Sequence, residues 1–359
     1  MSDYATAITR SAGHDALERA RESFRKQAWG DAFAQYSTAD GEASFEPMDL
    51  AQFAQAGYLI GRDVEAAGIL ARAHQAFLST GAPQAASRCA FWLGFTSLLN
   101  GEFAQAGGWL ARASRVLEGQ PESAENGYLL LAAGFRAMHS GDSATALATF
   151  AQAAAIGERF GEKDLTALAL QGQGRTLIRQ GEIERGVALL DEAMVSVTAG
   201  EVSPLSAGGV FCSVLEGCRE IFDFERAQEW TLALERWCAS QPDLVPYRGN
   251  CIVHKAELLK LHGSWEEALD WAQRAAEWFS SPKHKQELGG AFYEIAEIER
   301  LRGKFAASEE AYHRASQFSQ TIGPGLAQLR LAQGRVEAAN QAIRRLSEDV
   351  HEPARRAKI

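Results

Sequence analysis

LHGSWEEALDWAQRAAEWF occupies residues 261–279. Gly263 interrupts a helical pattern, Trp265 follows two places on, and Ala268, Ala272 and Ala275 come after it. Glycine accepts the left-handed backbone that ends a helix. An aromatic followed by small residues at helical spacing then reads as a second helix lying close against the first. The stretch is either a single helix-turn-helix or one copy of a repeat, and a repeat would decide the whole fold.

The template recurs along the chain. LRGKFAASEEAYHRAS carries Gly303, Phe305, Tyr312 and Ala315, and NGEFAQAGGWLARAS carries Gly101, Phe103, Ala106, Leu110 and Ala113. SGDSATALATFAQAA supplies Gly141, Ala146, Phe150 and Ala153, and QGEIERGVALLDEAM supplies Gly181, Ile183, Leu190 and Ala193. Gly101, Gly141 and Gly181 lie 40 residues apart, as do Gly263 and Gly303. Between them IFDFERAQEWTLALERW fits with Phe222 in place of the glycine, followed by Phe224 and Ala227. Copies at Gly61 (Ala66, Leu70, Ala73), at Trp29 (Ala32, Tyr36, Ala39) and at Gly334 (Ala339) bring the total to about nine. The preceding helix has its own small position seven residues before each turn, at Ala54, Gly94, Gly134, Gly174, Ala256, Ala296 and Ala327. A glycine inside a helix costs about 1 kcal/mol relative to alanine, so its recurrence at one site points to backbones in close contact.

This pattern resembles the tetratricopeptide repeat, two antiparallel helices with small residues at fixed places. The period is about 40 residues rather than the roughly 34 of that repeat. Copies of this length are similar to the helical-repeat sensor regions of bacterial regulators related to the maltose activator. The resemblance implies an all-α, right-handed superhelical solenoid of about nine helix pairs, with a concave face lined by the first helix of each pair. We expect an N-terminal tail over 1–12, the solenoid over 13–350, and over 351–359 the start of a further helix that is cut short.

Counting back 13, 10, 6 and 3 residues from each turn gives the positions that would line that face. They include Arg88, Phe91 and Phe95 in one repeat, Tyr128 and Phe135 in the next, and then Arg175. Further on come Glu216 and Arg219, then Asn250 and Glu257, then Tyr293. Residues 88–138 are aromatic and aliphatic there, whereas 212–300 are charged, a gradient suited to an amphipathic ligand or peptide. The competing assignment makes the aromatics inter-repeat core and the charges a solvated face of ion pairs at helical spacing. The proline- and glycine-punctuated stretch around QPDLVPYRGNCIVHKAELL adds Tyr247, Arg248 and His254, groups that bind anions or stack. A rigid structural link is the alternative reading of that stretch.

The runs CAFWLGF (89–95), GGWLARA (107–113), LLDEAM (189–194), TAGEVSP (198–204), QPDLVPYRGNCIVHKAELL (241–259) and GPGLAQLRLAQGRVEAA (323–339) are similar to one group of bacterial LuxR-type regulators. In that group a tetratricopeptide-like region precedes a C-terminal helix-turn-helix. The resemblance implies a sensor and scaffold region that takes a small effector or a protein or peptide segment in its groove. No helix-turn-helix is recognisable in this chain, and no G-x-x-x-x-G-K-[ST] phosphate loop. The alternative is a stand-alone adaptor for peptides or protein partners.

Chemistry and charge narrow the remaining classes. His254 and His262 lie eight residues apart with Glu257 between them, but H-E-x-x-H is absent, so no metal site is expected. Cys212, Cys218 and Cys251 lack a clear histidine and orienting partner, so no catalytic residue, enzyme activity or cofactor is expected. A net charge of −10 repels phosphate backbones and argues against direct nucleic-acid or anionic-membrane binding by this chain. Five cysteines without a CxxC, no signal peptide and no long apolar run point to the cytoplasm. Pairing of two copies through an apolar solenoid end would give a homodimer.

Overall fold

The computed structural model describes residues 2–241, 243–280, 285–318 and 324–349; the side chains of 2–11, Asn250, 285–286 and 347–349 lie outside the described set. The segment 351–359, expected to begin a further helix, is also outside it. All regular elements among the described residues are helices, and extended pairing is confined to an isolated bridge between Asp40 and Ala43. The first nine are α1 (Ser2–Arg25), α2 (Trp29–Ala39), α3 (Pro47–Leu59), α4 (Asp63–Ser79), α5 (Pro83–Leu99), α6 (Phe103–Val116), α7 (Ala124–His139), α8 (Ser143–Phe160) and α9 (Lys163–Gln180). The rest are α10 (Ile183–Thr198), α11 (Pro204–Glu220), α12 (Phe224–Ala239), α13 (Arg248–Leu261), α14 (Trp265–Trp278), α15 (Lys285–Leu301), α16 (Phe305–Ser316), α17 (Gly325–Ala332) and α18 (Val336–Asp349). The chain is an all-α, tetratricopeptide-like repeat fold.

Each turn inside a repeat is closed the same way. Gly101 N–H donates to Leu98 O at 3.1 Å and Glu102 N–H to Ser97 O at 2.8 Å. These two bonds satisfy carbonyls that a helix end leaves free, and they require a left-handed residue at the turn. Gly61, Gly141, Gly181, Gly263, Gly303 and Gly334 take that conformation and make the same bonds. Phe222 makes them too, at φ 59°, where no glycine is available. So does Gln27, at φ 58°, which marks the turn of the first repeat.

The small positions prove to be contact points. A Cβ added at Gly94 would lie 2.9 Å from Leu110 Cγ, and one at Gly174 would lie 2.7 Å from the Gly186 carbonyl. Phe150 is wedged between two glycines: a Cβ at Gly134 of α7 would meet its ring at 2.7 Å, and one at Gly172 of α9 at 2.6 Å. The large residue of one helix fills the hollow left by the missing side chain of its neighbour. Alanines after the turn, such as Ala146, Ala153, Ala268, Ala272 and Ala275, are fully buried.

The two helices of a repeat differ in how much they bury. In α5, Ala86, Cys89, Ala90, Phe91, Leu93 and Phe95 are all buried, because this helix lies against α4, α6 and α7. In α6 only Ala106 and Ala113 are buried. The first helix of this repeat is therefore enclosed on most sides, and the second shows an amphipathic pattern.

The helices gather into two compact units. One comprises 1–173, 195–210 and 237–246, and the other 174–194, 211–236 and 247–359.

Candidate functional site

In the first unit, α5 and α7 lie side by side and their aromatic residues form a ladder. Phe91 and Phe95, one turn apart, stack at 5.4 Å between ring centroids. Phe91 meets Tyr128 at 5.0 Å, Phe95 meets Phe135 at 5.6 Å, and Phe135 meets Phe150 edge-on at 5.1 Å. Such pairs contribute about 0.5–1.5 kcal/mol each beyond the area they bury. Phe91, Phe95 and Tyr128 are buried, and Phe135 is half-buried. The Arg88 guanidinium covers one end of the ladder, 4.0 Å from the Tyr128 ring centroid, and its Nη2 donates to Glu125 and Glu162, each at 2.9 Å. Burial acts to lower the Arg88 pKa, but Tyr128, Glu162 and Glu125 more than reverse this, and it is raised. Burial also drives the Tyr128 phenol well above its ordinary value.

In the second unit, the corresponding faces of successive first helices carry a ladder of ion pairs. Arg175 on α9 is buried; its Nη1 donates to Glu216 at 2.9 Å and its Nη2 to Glu220 at 2.8 Å, both on α11. Its Nη1 also reaches the Ser213 carbonyl at 2.9 Å. Arg219, one turn beyond Glu216, pairs with Glu257 of α13 at 2.7 Å. The His254 ring contacts the other Glu257 oxygen at 3.2 Å. Lys260 of α13 pairs with Glu294 of α15 at 2.5 Å, and within α15 Arg300 pairs with Glu297 at 2.8 Å. Gly217 makes room for the first rung, since a Cβ there would lie 3.2 Å from Arg175 Cδ.

The carboxylates respond differently to this setting. Burial pushes Glu257 up, but Arg219, His254 and Lys260 pull harder, and its pKa is lowered below the usual carboxylate range. Burial prevails at Glu294, aided by repulsion from Glu257, so its pKa is raised although Lys260 stands beside it. Glu216 and Arg219 remain open to water, with side chains 58% and 43% exposed. Burial is still the leading influence on both, opposed by their partners, and both keep their charge at neutral pH. They are the members of the ladder that an incoming group could meet directly.

Of the residues expected to line a groove, the fold brings together Arg88, Phe91, Phe95, Tyr128 and Phe135 in one ladder. It brings together Arg175, Glu216, Arg219, His254 and Glu257 in the other. Tyr293 lies within electrostatic reach of Arg219, stands edge-on to Tyr312 at 5.7 Å, and its hydroxyl accepts from Gly325 N–H at 3.3 Å. Tyr247 and Arg248 open α13, at the opposite end of that helix from Lys260. The Asn250 side chain lies outside the described set. Glu125, Glu162, Glu220 and Glu294 hold the ladders together and were not among the expected residues. Their signal was available only as acidic residues lying off the counted positions.

Among the described residues, no group of three or more His, Cys, Asp or Glu is placed to hold a metal ion. Cys89 and Cys218 are buried thiols, and burial raises both to about 12. No helix among the described residues is long and apolar enough to cross a membrane. A shallow depression of about 360 Å³, lined by Ile183, Asp191, Ile221 and Arg226 among others, lies between α10 and α12 and away from the ladder residues.

No protein-family model matches the chain, and no curated protein sequence matches it. Solved structures do. The chain is similar to NprR in complex with its cognate peptide NprX, with a TM-score of 0.57 and 14% identity over 76% of this chain and 80% of that one. A Rap protein complexed with competence and sporulation factor gives a TM-score of 0.52 at 13% identity, over 94% of this chain and 87% of the other. Cut9 in the APC/C hetero-tetramer Cut9–Hcn1 gives 0.58 at 12% identity, over 90% of this chain and 57% of that one. At such identities the likeness concerns the fold, and the fold it supports is a tetratricopeptide-like array of helix pairs.

Proposed function

We propose that this chain is a non-catalytic repeat region that binds a peptide or protein segment along its first helices, as the sensor part of a LuxR-type transcriptional regulator. The observation that carries this reading is the ion-pair ladder of the second unit. Glu216 and Arg219, one turn apart on α11, pair with buried Arg175 and Glu257 and yet keep side chains 58% and 43% exposed. Opposite charges held that far apart on a rigid helix suit the alternating donors and acceptors of a peptide backbone or a zwitterionic effector. Two of the structural neighbours, NprR and the Rap protein, were solved with a bound peptide and with competence and sporulation factor. The buried thiols of Cys89 and Cys218 suit a reducing cytoplasm.

A peptide-display library panned on the purified chain tests the binding claim. Peptides selected on the wild-type chain are expected to lose at least about tenfold in affinity when Glu216 and Arg219 are both replaced by alanine. Selection of nothing, or only of peptides indifferent to that double substitution, rejects the claim. The regulator claim is tested by reading the gene past the codon for Ile359, where an in-frame helix-turn-helix is expected. A stop codon there transfers the support to a free-standing adaptor, a reading that the likeness to Cut9 in its hetero-tetramer also favours.

A further inference from the structure

The turns inside the repeats of the second unit carry apolar side chains that their own repeats leave uncovered. Phe224, Leu261, Trp265, Leu301, Leu331 and Val336 each stand within a few residues of such a turn, and all are exposed, from 37% at Trp265 and Leu301 to 59% at Leu331. Single exposed apolar residues are ordinary on a protein surface, but the same exposure at the same place in successive repeats forms a ridge. Ion pairs between neighbouring repeats set these turns one after another. Arg219, just before the Phe222 turn, pairs with Glu257 on the helix that leads to Gly263, at 2.7 Å. Arg302, beside Gly303, lies 3.8 Å from Glu266 of the Gly263 turn. Arg330, before Gly334, pairs with Glu309 of α16 at 2.6 Å.

Charge along the ridge changes sign midway. Asp223 and Glu225 follow the Phe222 turn, and Glu266 and Glu267 follow the Gly263 turn. Arg226, the cation among them, is held by Asp191 at 2.5 Å and Asp223 at 3.0 Å. Arg302 and Lys304 then flank Gly303, and Arg335, with Glu337 close by, follows Gly334. Glu267, Lys304 and Arg335 are exposed. A ridge that is apolar along its length, acidic in one half and basic in the other matches itself when turned end for end. A second copy running the opposite way sets the acidic half against the basic half and apolar residues against apolar ones. With the two-fold axis between the Gly263 and Gly303 turns, Leu261 and Trp265 of one copy face Leu301 of the other, and Glu267 meets Lys304 twice. At a net charge of −10 two copies repel one another overall, so opposed local charges select this register.

We propose that this ridge of turns in the second unit is a homodimer interface, in which two copies pack antiparallel about a two-fold axis between the Gly263 and Gly303 turns. The interface uses the turns and leaves Glu216 and Arg219 of the charged ladder open, so it is independent of peptide binding.

Analytical ultracentrifugation of the full chain tests the interface. The wild-type chain is expected to pass from monomer to dimer between about 1 and 100 μM, and added salt should weaken the dimer. Lys304→Glu and Glu267→Lys each bring like charges together at both contacts, so each variant alone should dimerise at least about tenfold more weakly. Mixed in equal amounts, the two variants place opposite charges at both contacts and should pair as tightly as wild type. Leu261→Gln should also weaken the wild-type dimer, by removing apolar area that is buried twice. Circular dichroism should show unchanged helix content in the charge variants, whose altered side chains are exposed. A wild-type chain that stays monomeric at about 100 μM overturns the proposal and leaves the ridge to a different protein. A dimer indifferent to both charge variants, or a mixture that pairs no more tightly than its components, also overturns it and moves the pairing to another surface.

Discussion

The same repeat position does opposite things in the two units. Six residues before the turn, α5 and α7 carry Phe95 and Phe135, which touch at 5.6 Å between rings. At that position α9 and α11 carry Arg175 and Glu216, which pair at 2.9 Å. The backbone framework is shared, with small residues or glycine at the helix crossing and a left-handed turn after it. What differs is the kind of contact between neighbouring first helices. Ring contacts are non-directional and roughly proportional to buried area. Buried ion pairs must recover the cost of leaving water, so removing one partner is far more damaging than removing both. The aromatic ladder therefore behaves as core, and the charged ladder as a face sensitive to pH and salt.

The largest effect that would test this contrast is in the aromatic ladder. Phe91→Ala should destabilise the chain by about 3–5 kcal/mol. Chemical denaturation should return the same loss between pH 5 and 8 and at low and high salt. A loss that varied with salt would show that the aromatic ladder depends on the charges capping it at Arg88. Next comes a double-mutant cycle at the lower ladder. Lys260→Met leaves Glu294 buried without its cation and should cost about 3 kcal/mol at pH 7, whereas the double variant Lys260→Met/Glu294→Leu should recover most of that loss. Additive costs in the cycle would mean the two side chains act independently, contrary to their 2.5 Å contact.

The two carboxylates of that ladder should contribute to pH dependence with opposite sign. Glu257 has a folded pKa below its unfolded value, so its contribution is present above the ordinary carboxylate pKa and is lost as pH falls through the lowered folded value. Glu294 has a folded pKa above its unfolded value, so its contribution is present below the ordinary pKa and is lost as pH rises through the raised one. Carbon-detected NMR titration of the two side chains should show Glu257 ionising first. The reverse order would undo the electrostatic account. The smallest effect belongs to the turns. Phe222→Gly removes a left-handed non-glycine residue whose ring is half exposed and should stabilise the chain by about 0.5–1 kcal/mol. A loss measured by thermal unfolding would assign the Phe222 ring, 6.1 Å from Phe224, a packing role larger than its backbone strain.

The repeat was legible in the sequence because its constraints are local. A left-handed turn favours glycine, a close helix crossing favours a small residue, and the hollow this leaves takes a large one. Gly94 with Leu110, and Gly134 with Phe150, show those rules acting as contacts. Phe222 could be assigned to the missing turn from period alone, although it is a poor residue for it. The site was legible in part. Counting along the first helices found Arg175, Glu216, Arg219 and Glu257, because one helical turn sets which residues share a face. It overlooked Glu220 and Glu294, since which carboxylate meets a given cation depends on how neighbouring helices slide and rotate.

The sequence by itself determined the class of fold, the repeat and the change from aromatic to charged first helices, all of which follow from spacing within a single repeat. Only the tertiary structure decided which charges are buried and which remain open, and that Gln241, Asp243 and Val245 return to Trp29, Gly30 and Leu59. Those contacts join positions more than 180 residues apart. No periodicity encodes such a pairing, because periodicity reports only which residues share a helix face.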